Sequence, residues 1–307
     1  MITLLSTWTF GLALGFVALG VFVSYKLFSF PDITTDGSFT LGAVVTAVLL
    51  TAGWDPVMAT AGGMVAGAAA GTTTGVLHAV LGVEPLLAGI LVTTALASVN
   101  LVVLGRSNVP LTGMPSVFDR AGSTLGPAVA ALTGCDAATA DEAARMLFTL
   151  GCLAIACGVL YLFFRTSLGT AMRAGGDTRS MARALGRNTG LLTVAGLAIA
   201  NALTALAGGL VAQYQRFTDV QMGIGMVVWG MASVFLGGAL VGPARLGGAL
   251  VAAAAGSVAF RLLVATALRA GLHPDWLRAA TAVVVLAALV GPRLLSGVRT
   301  RQGSAVR

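Results

Sequence analysis

The chain has 307 residues, 57% hydrophobic and only 9% charged, with a formal net charge of +7. Soluble domains carry about 25% charged residues, so a water-soluble fold is excluded. The apolar runs are continuous and not alternating, which points to an all-α polytopic membrane protein and away from a β-barrel.

Taken in chain order, apolar windows of ~20 residues predict about nine transmembrane helices, at roughly 5–25, 38–54, 57–77, 85–104, 146–164, 191–212, 222–241, 246–268 and 276–291. No basic stretch precedes the first, so it is read as a retained span and not as a cleaved signal peptide. The second and third are short or glycine-broken, which leaves room for broken or re-entrant helices. Within the third, Gly63, Gly67, Gly71 and Gly75 recur every four residues. In lipid such a stripe lets two backbones approach closely, either inside the bundle or at a subunit seam. Residues 105–145 read as an external loop with Gly, Pro and Ser early, a helix signal later, and the acids Asp119, Asp136, Asp141 and Glu142.

Orientation follows from the arginines. The 165–187 stretch holds Arg165, Arg173, Arg179, Arg183 and Arg187 against Asp177 alone, and the tail holds Arg293, Arg299, Arg301 and Arg307 with no acid. Both are expected in the cytoplasm. Four spans separate them, so the parity agrees, and the N-terminus and the 105–145 loop fall outside. Basic residues placed at span ends account for the net charge without nucleic acid. The three cysteines, Cys135, Cys152 and Cys157, form no CxxC pair and read as small packing residues. His78 and His273 lie far apart, so no metal site is expected.

One charged stretch between spans stands out, "GDTRSMARALG" (Gly176–Gly186). Asp177 is suited to an N-cap and Gly186 to the position just past a helix. Met181 and Leu185 share one face at i,i+4 spacing, while Arg179, Arg183 and Arg187 share another. The reading is a short cytoplasmic helix with an apolar knob, which needs something to pack on.

The surrounding "RTSLGTAMRAGGDTRSMARALGRNTG" (Arg165–Gly190) resembles the coupling-helix region of bacterial ABC importer permeases of the branched-chain amino acid and ribose-type family, above all the tryptophan/tyrosine-type importers. "FPDITTDGSFTLGA" (Phe30–Ala43), "GRSNVPL" (Gly105–Leu111) and "NALTALAGGLVAQYQRFTDVQMGIGM" (Asn201–Met226) resemble further blocks of the same family, in order. Thr178 and Arg187 depart from its usual pattern. The resemblance implies a transport subunit and not an enzyme. A separate ATPase carrying ATP and Mg would dock through Arg173, Gly176, Asp177, Met181, Arg183, Leu185 and Gly186. A second permease copy would complete a homodimer in the bacterial inner membrane, and a solute-binding lipoprotein would dock outside. The chain itself binds no cofactor on this reading, and its only lysine, Lys26, has no glycine-rich loop before it to make a P-loop.

Two polar segments, "FPDITTDGSF" and "QYQRFTDVQMG", each carry Asp near Thr and run into a glycine-containing apolar helix. The topology places them on opposite faces, as an inverted repeat with broken helices would. Asp32, Thr34, Asp36, Gln213, Gln215, Asp219 and Gln221 are the candidate pathway or gate residues, because polar groups at membrane depth must be paired or face water. Asn100, Asn201 and Arg261 also fall inside apolar runs. The leading expectation is an ATP-driven importer of a small polar organic solute, an aromatic or other amino acid. The alternative is an ion-coupled secondary transporter without an ATPase, for which Arg261 is the one deep charge read here.

Overall fold

The computed structural model describes residues 1–27, 32–177, 188–242 and 245–271, with isolated positions at 276, 279, 282, 283 and 286. The expected ninth span and the knob residues Met181 and Leu185, with Arg183 and Gly186, lie outside the described residues. The elements are α1 (Ile2–Val21, continued by π-turns at Phe22–Leu27), α2 (Thr34–Thr51), α3 (Pro56–Ala79), α4 (Pro85–Leu104), β1 (Asn108–Pro110), α5 (Val117–Thr133), α6 (Ala137–Arg165), α7 (Ser167–Asp177), α8 (Thr189–Gln215), β2 (Phe217–Asp219), α9 (Met226–Val241) and α10 (Leu246–Arg269).

Local chemistry sets the boundaries. The Asp55 side chain accepts from Val57 N at 2.9 Å, and Pro56 supplies the first helical residue of α3. Ser116 and Asp119 form a reciprocal capping box on α5. Asn188 caps α8 through Gly190 N and Leu191 N.

Six of these helices are long and apolar enough to cross a membrane: Ile2–Tyr25, α2, α4, α6, α8 and α10. The chain is therefore an all-helical polytopic membrane protein, as the apolar runs predict, with the span boundaries moved. The expected third span, α3, has 24 residues, but Gly, Ala and Thr dilute its hydropathy. The expected seventh shortens to the 16 residues of α9, because residues 220–225 form turns. α6 begins at Ala137, nine residues before the expected span at 146. Asp177, expected as an N-cap, is the last described residue of α7, and the helix it would cap lies outside the described residues. The 105–145 stretch is not a free loop. It supplies β1, which pairs antiparallel with β2 in the register Asn108↔Asp219, and α5, which packs on α6.

α1, α2 and α8 are largely buried, whereas α4 and α6 turn apolar side chains such as Val102 and Ile155 outward, as lipid-facing helices do. α8 packs against α2 and α3, while α1 packs against α9 and α10, and the pairs α2/α3 and α9/α10 match each other. α1–α2–α3 and α8–α9–α10 are thus two corresponding halves, crossing where α1 meets α8. Ser6 O near Tyr214 Oη and Thr3 near Arg269 fix one end of the bundle, which also carries the β1/β2 ribbon. α2 runs toward that end and α9 away from it, so the halves are inverted.

The glycine stripe packs within the chain. An added Cβ at Gly63 would meet Gly42 O at 2.7 Å, at Gly67 it would meet Asn201 O at 2.6 Å, and at Gly75 it would meet Val194 Cα at 2.7 Å. The stripe therefore seats α3 on α2 and α8 and is not a subunit seam. Gly67→Val is expected to destabilise the protein by about 1–3 kcal/mol, read as a lowered melting temperature in detergent. Gly151→Val, where an added Cβ meets nothing within 4 Å, is expected to melt as wild type.

Candidate translocation site

α8 spans 27 residues, about 40 Å at 1.5 Å per residue. Asn201, close to its midpoint, donates from Nδ2 to Asp32 Oδ2 at 2.7 Å. Asp32 Oδ1 also accepts from Thr34 N at 2.9 Å, closing the first turn of α2. α2 therefore starts at mid-depth. Its first turn is ringed by polar groups from three helices. Thr34 Oγ1 pairs with Thr74 Oγ1 of α3 at 2.8 Å, Thr93 Oγ1 of α4 donates to Ile33 O at 2.9 Å, and Asn100 Nδ2 donates to Gly37 O at 3.4 Å.

α9 starts at the same level. Gly225 N and Val227 N donate to the Asp36 carboxylate at 3.0 and 2.8 Å, and Gly223 N donates to Thr40 Oγ1 at 3.1 Å. Gly225 has φ +91°, a conformation that glycine adopts without strain. Two helix N-termini, each the positive end of a dipole, thus meet mid-bundle and are answered by two carboxylates. The expectation that the two polar segments lie on opposite faces is corrected: the first sits mid-bundle, and the second runs in from the ribbon end to meet it at Gly223. So is the reading of Arg261 as the one deep charge, since Asp32 and Asp36 are deep as well. Arg261 lies with its guanidinium 4.2 Å from the centroid of Phe10.

The two segments correspond in detail. Phe30-Pro31-Asp32-Ile33 matches Phe217-Thr218-Asp219-Val220 in sequence. Asp219 Oδ1 accepts from Gln221 N at 2.7 Å, the same two-residue turn that Asp32 makes with Thr34.

Of the seven candidate residues, Asp32, Thr34 and Asp36 come together. Gln213 is a buried strut toward the ribbon end, donating from Nε2 to Thr60 Oγ1 at 2.6 Å and accepting from Val117 N at 3.0 Å. Asp219 sits in the ribbon, and Gln215 and Gln221 are exposed there. Arg173 lies on α7, with its Nε buried. Gly176 and Asp177 are the last described residues of α7.

Thr74 and Thr93 were missed. Thr72, Thr73 and Thr94 bond their own helix carbonyls four residues back, as Thr74 does beside its contact with Thr34, and nothing in the sequence marks the threonines that also reach another helix. Asn201, singled out for its apolar surroundings, carries the stronger signal.

At the ribbon end, Glu142 accepts from Tyr214 Oη at 2.6 Å and Thr9 Oγ1 at 3.2 Å, and Arg145 lies 3.5 Å from it. Arg216 pairs with Asp119 and donates to Met114 O. α1, α5, α6 and α8 are thereby tied together.

A profile described as "Branched-chain amino acid transport system / permease component" matches residues 3–290. The chain belongs to this permease family. The permease is 36% identical over 286 residues to the "Tyrosine transport system permease protein" of Clostridioides difficile (strain R20291), covering 93% of this chain and 90% of that one. It is 29% identical over 219 residues to an uncharacterised protein of Rickettsia prowazekii (strain Madrid E), covering 71% of each. No solved structure matches it.

Asp36→Ala removes both acceptors from the start of α9 and is expected to destabilise the permease by on the order of 1–3 kcal/mol. Asp219→Ala, at a half-exposed turn, is expected to shift the melting temperature far less. At the α2–α3 turn, the Arg120 guanidinium 2.5 Å away holds the Asp55 carboxyl below the ordinary carboxylate value. A lowered pKa contributes stability above the unfolded value and loses it as pH falls through the folded one. Protection of the Val57 amide, taken relative to its intrinsic exchange rate, is therefore expected to hold around neutrality and to fall only below about pH 4. Arg120→Ala is expected to move that fall to higher pH.

Proposed function

We propose that the permease is the membrane-spanning subunit of an ATP-driven (ABC) importer, working as a homodimer in the bacterial inner membrane, with a small polar organic solute as cargo. The observation that carries the transport reading is the meeting of two oppositely directed helix N-termini, with Asp32, Thr34, Asp36 and Asn201, at the middle of an apolar bundle. Broken helices of this kind present polar backbone groups where a pathway needs them. Family membership supports an ABC partner. A tyrosine permease as a relative makes aromatic amino acids, tyrosine first, the cargo to test.

In this reading a separate ATPase, with its ATP and Mg, docks on the 177–186 segment. Asp177 and Asn188 flank that segment at the end of the bundle opposite the β1/β2 ribbon. That end is the cytoplasmic one, which leaves the N-terminus and the ribbon outside, where a solute-binding lipoprotein would dock. The deep carboxylates Asp32 and Asp36 favour a second reading, ion-coupled transport without an ATPase.

One experiment separates the two. The chain is tagged, purified in mild detergent, and compared with Met181→Glu plus Leu185→Glu. Release of a co-purified Walker-type ATPase by the double change, with the helical content kept, is the expected result. A chain that purifies alone, with uptake that collapses under an ionophore but persists without the ATPase, would favour the ion-coupled reading.

A further inference from the structure

On the flank of the bundle, α1, α6 and α10 bound an open groove of about 1300 Å³. Its walls are apolar, with Leu12, Leu150, Leu153, Leu250 and Val258 among them. Gly158 leaves space in the floor, where an added Cβ would meet nothing within 4 Å. From Leu150 to Arg165 the groove follows α6 for roughly 22 Å at 1.5 Å per residue, somewhat more than the ~15 Å of hydrocarbon in one leaflet.

The end of this groove away from the β1/β2 ribbon is lined by three arginines. Arg165 closes α6, Arg173 lies on α7, and Arg245 caps α10. Among the described residues none of the three has an acidic partner. Arg165 reaches Tyr161, with Nη1 3.4 Å from the phenol oxygen and the guanidinium 5.6 Å from the ring centroid. Arg173 Nε is buried with no hydrogen-bond partner. A basic cluster with no acidic partner among the described residues, opening onto a long apolar channel, matches a lipid with an anionic head. Basic pockets between spans recognise such headgroups. A water-soluble anion leaves the apolar walls uncovered, and an apolar helix leaves the three cations unanswered.

We propose that this groove binds one anionic phospholipid, its phosphate held by Arg165, Arg173 and Arg245 and its acyl chains lying along α6 and α10. Arg173 then serves the groove and not an ATPase-docking surface. The proposal holds whether transport is driven by ATP or by an ion gradient.

The test is native mass spectrometry of the full chain, with whatever partners co-purify, after reconstitution with phosphatidylglycerol or with phosphatidylcholine of the same acyl chains. The expected result is retention of phosphatidylglycerol and not of phosphatidylcholine. Arg165→Gln with Arg245→Gln is expected to weaken retention roughly 30-fold, about fivefold for each basic group. Gly158→Trp fills the groove without touching an arginine and is expected to remove the lipid as well, with far-UV circular dichroism unchanged. Equal retention of the two lipids overturns the proposal. Binding untouched by Gly158→Trp but displaced by inorganic phosphate would reveal an anion site with no lipid. Loss of oligomer mass in Gly158→Trp, with no lipid preference, would assign the groove to a second copy of the chain.

Discussion

A helix that starts inside a bilayer leaves its first N–H groups without partners, in a medium where each unsatisfied group costs several kcal/mol. This chain makes such a start twice, and a carboxylate answers it each time. Asp36, in the first turn of α2, accepts from the first turn of α9. Asp32 holds the first turn of α2 while Asn201 of α8 holds Asp32. The two starts are interlocked, because α9 is capped by a residue of the helix whose own start depends on α8. The glycines at 223 and 225 follow from this arrangement. A Cβ at Gly223 would fall 3.1 Å from Asp36 C, and Gly225 must turn through a positive φ to aim its N–H at the carboxylate.

Around that junction the two halves repeat each other with opposite direction. Each half closes its second and third helices through glycine, Gly42 against Gly63 in one and Gly237 against Gly256 in the other. Contacts of this kind bring Cα–H groups against carbonyl oxygens, a weak but recurrent attraction between closely packed helices. Side chains of α1 and α8, among them Leu14, Phe16, Leu19 and Leu197, fill the centre where the halves cross.

Composition was enough to read the class, because an all-apolar helix announces itself by length. Depth was harder. The 38–54 window starts four residues after α2 does, since Thr34, Thr35 and Asp36 look like loop residues until the partners of Thr34 on α3 and of Asp36 on α9 are known. The two Asp-containing segments were legible as kin from Asp near Thr and the glycine-containing apolar helix after each, but the rule that chains alternate faces sent them to opposite sides. That rule assumes helices that begin at a face, and α2 and α9 begin inside the bundle. Gln213 looked like a pathway residue for the same reason as Asp32. Only packing distinguishes a glutamine that bridges α3 and α5 from an aspartate that caps a buried helix start.

The backbone-to-backbone seam of α3 on α8 limits how this molecule can move. Sliding between packed helices works through side chains that trade rotamers, and here α3 offers only Gly67, Gly71 and Gly75 against Ala205, Asn201 and Val194 of α8. α3 and α8 must therefore travel as a single strut. A push at the foot of α8, beside Asn188, reaches Thr60 and Gln213 undiminished, some 35 Å away at 1.5 Å per residue. Among the described residues, helical bonding beside the junction is interrupted at the π-turns of 22–27 and in the 216–225 connection, so the chain can bend there without unseating α3 from α8.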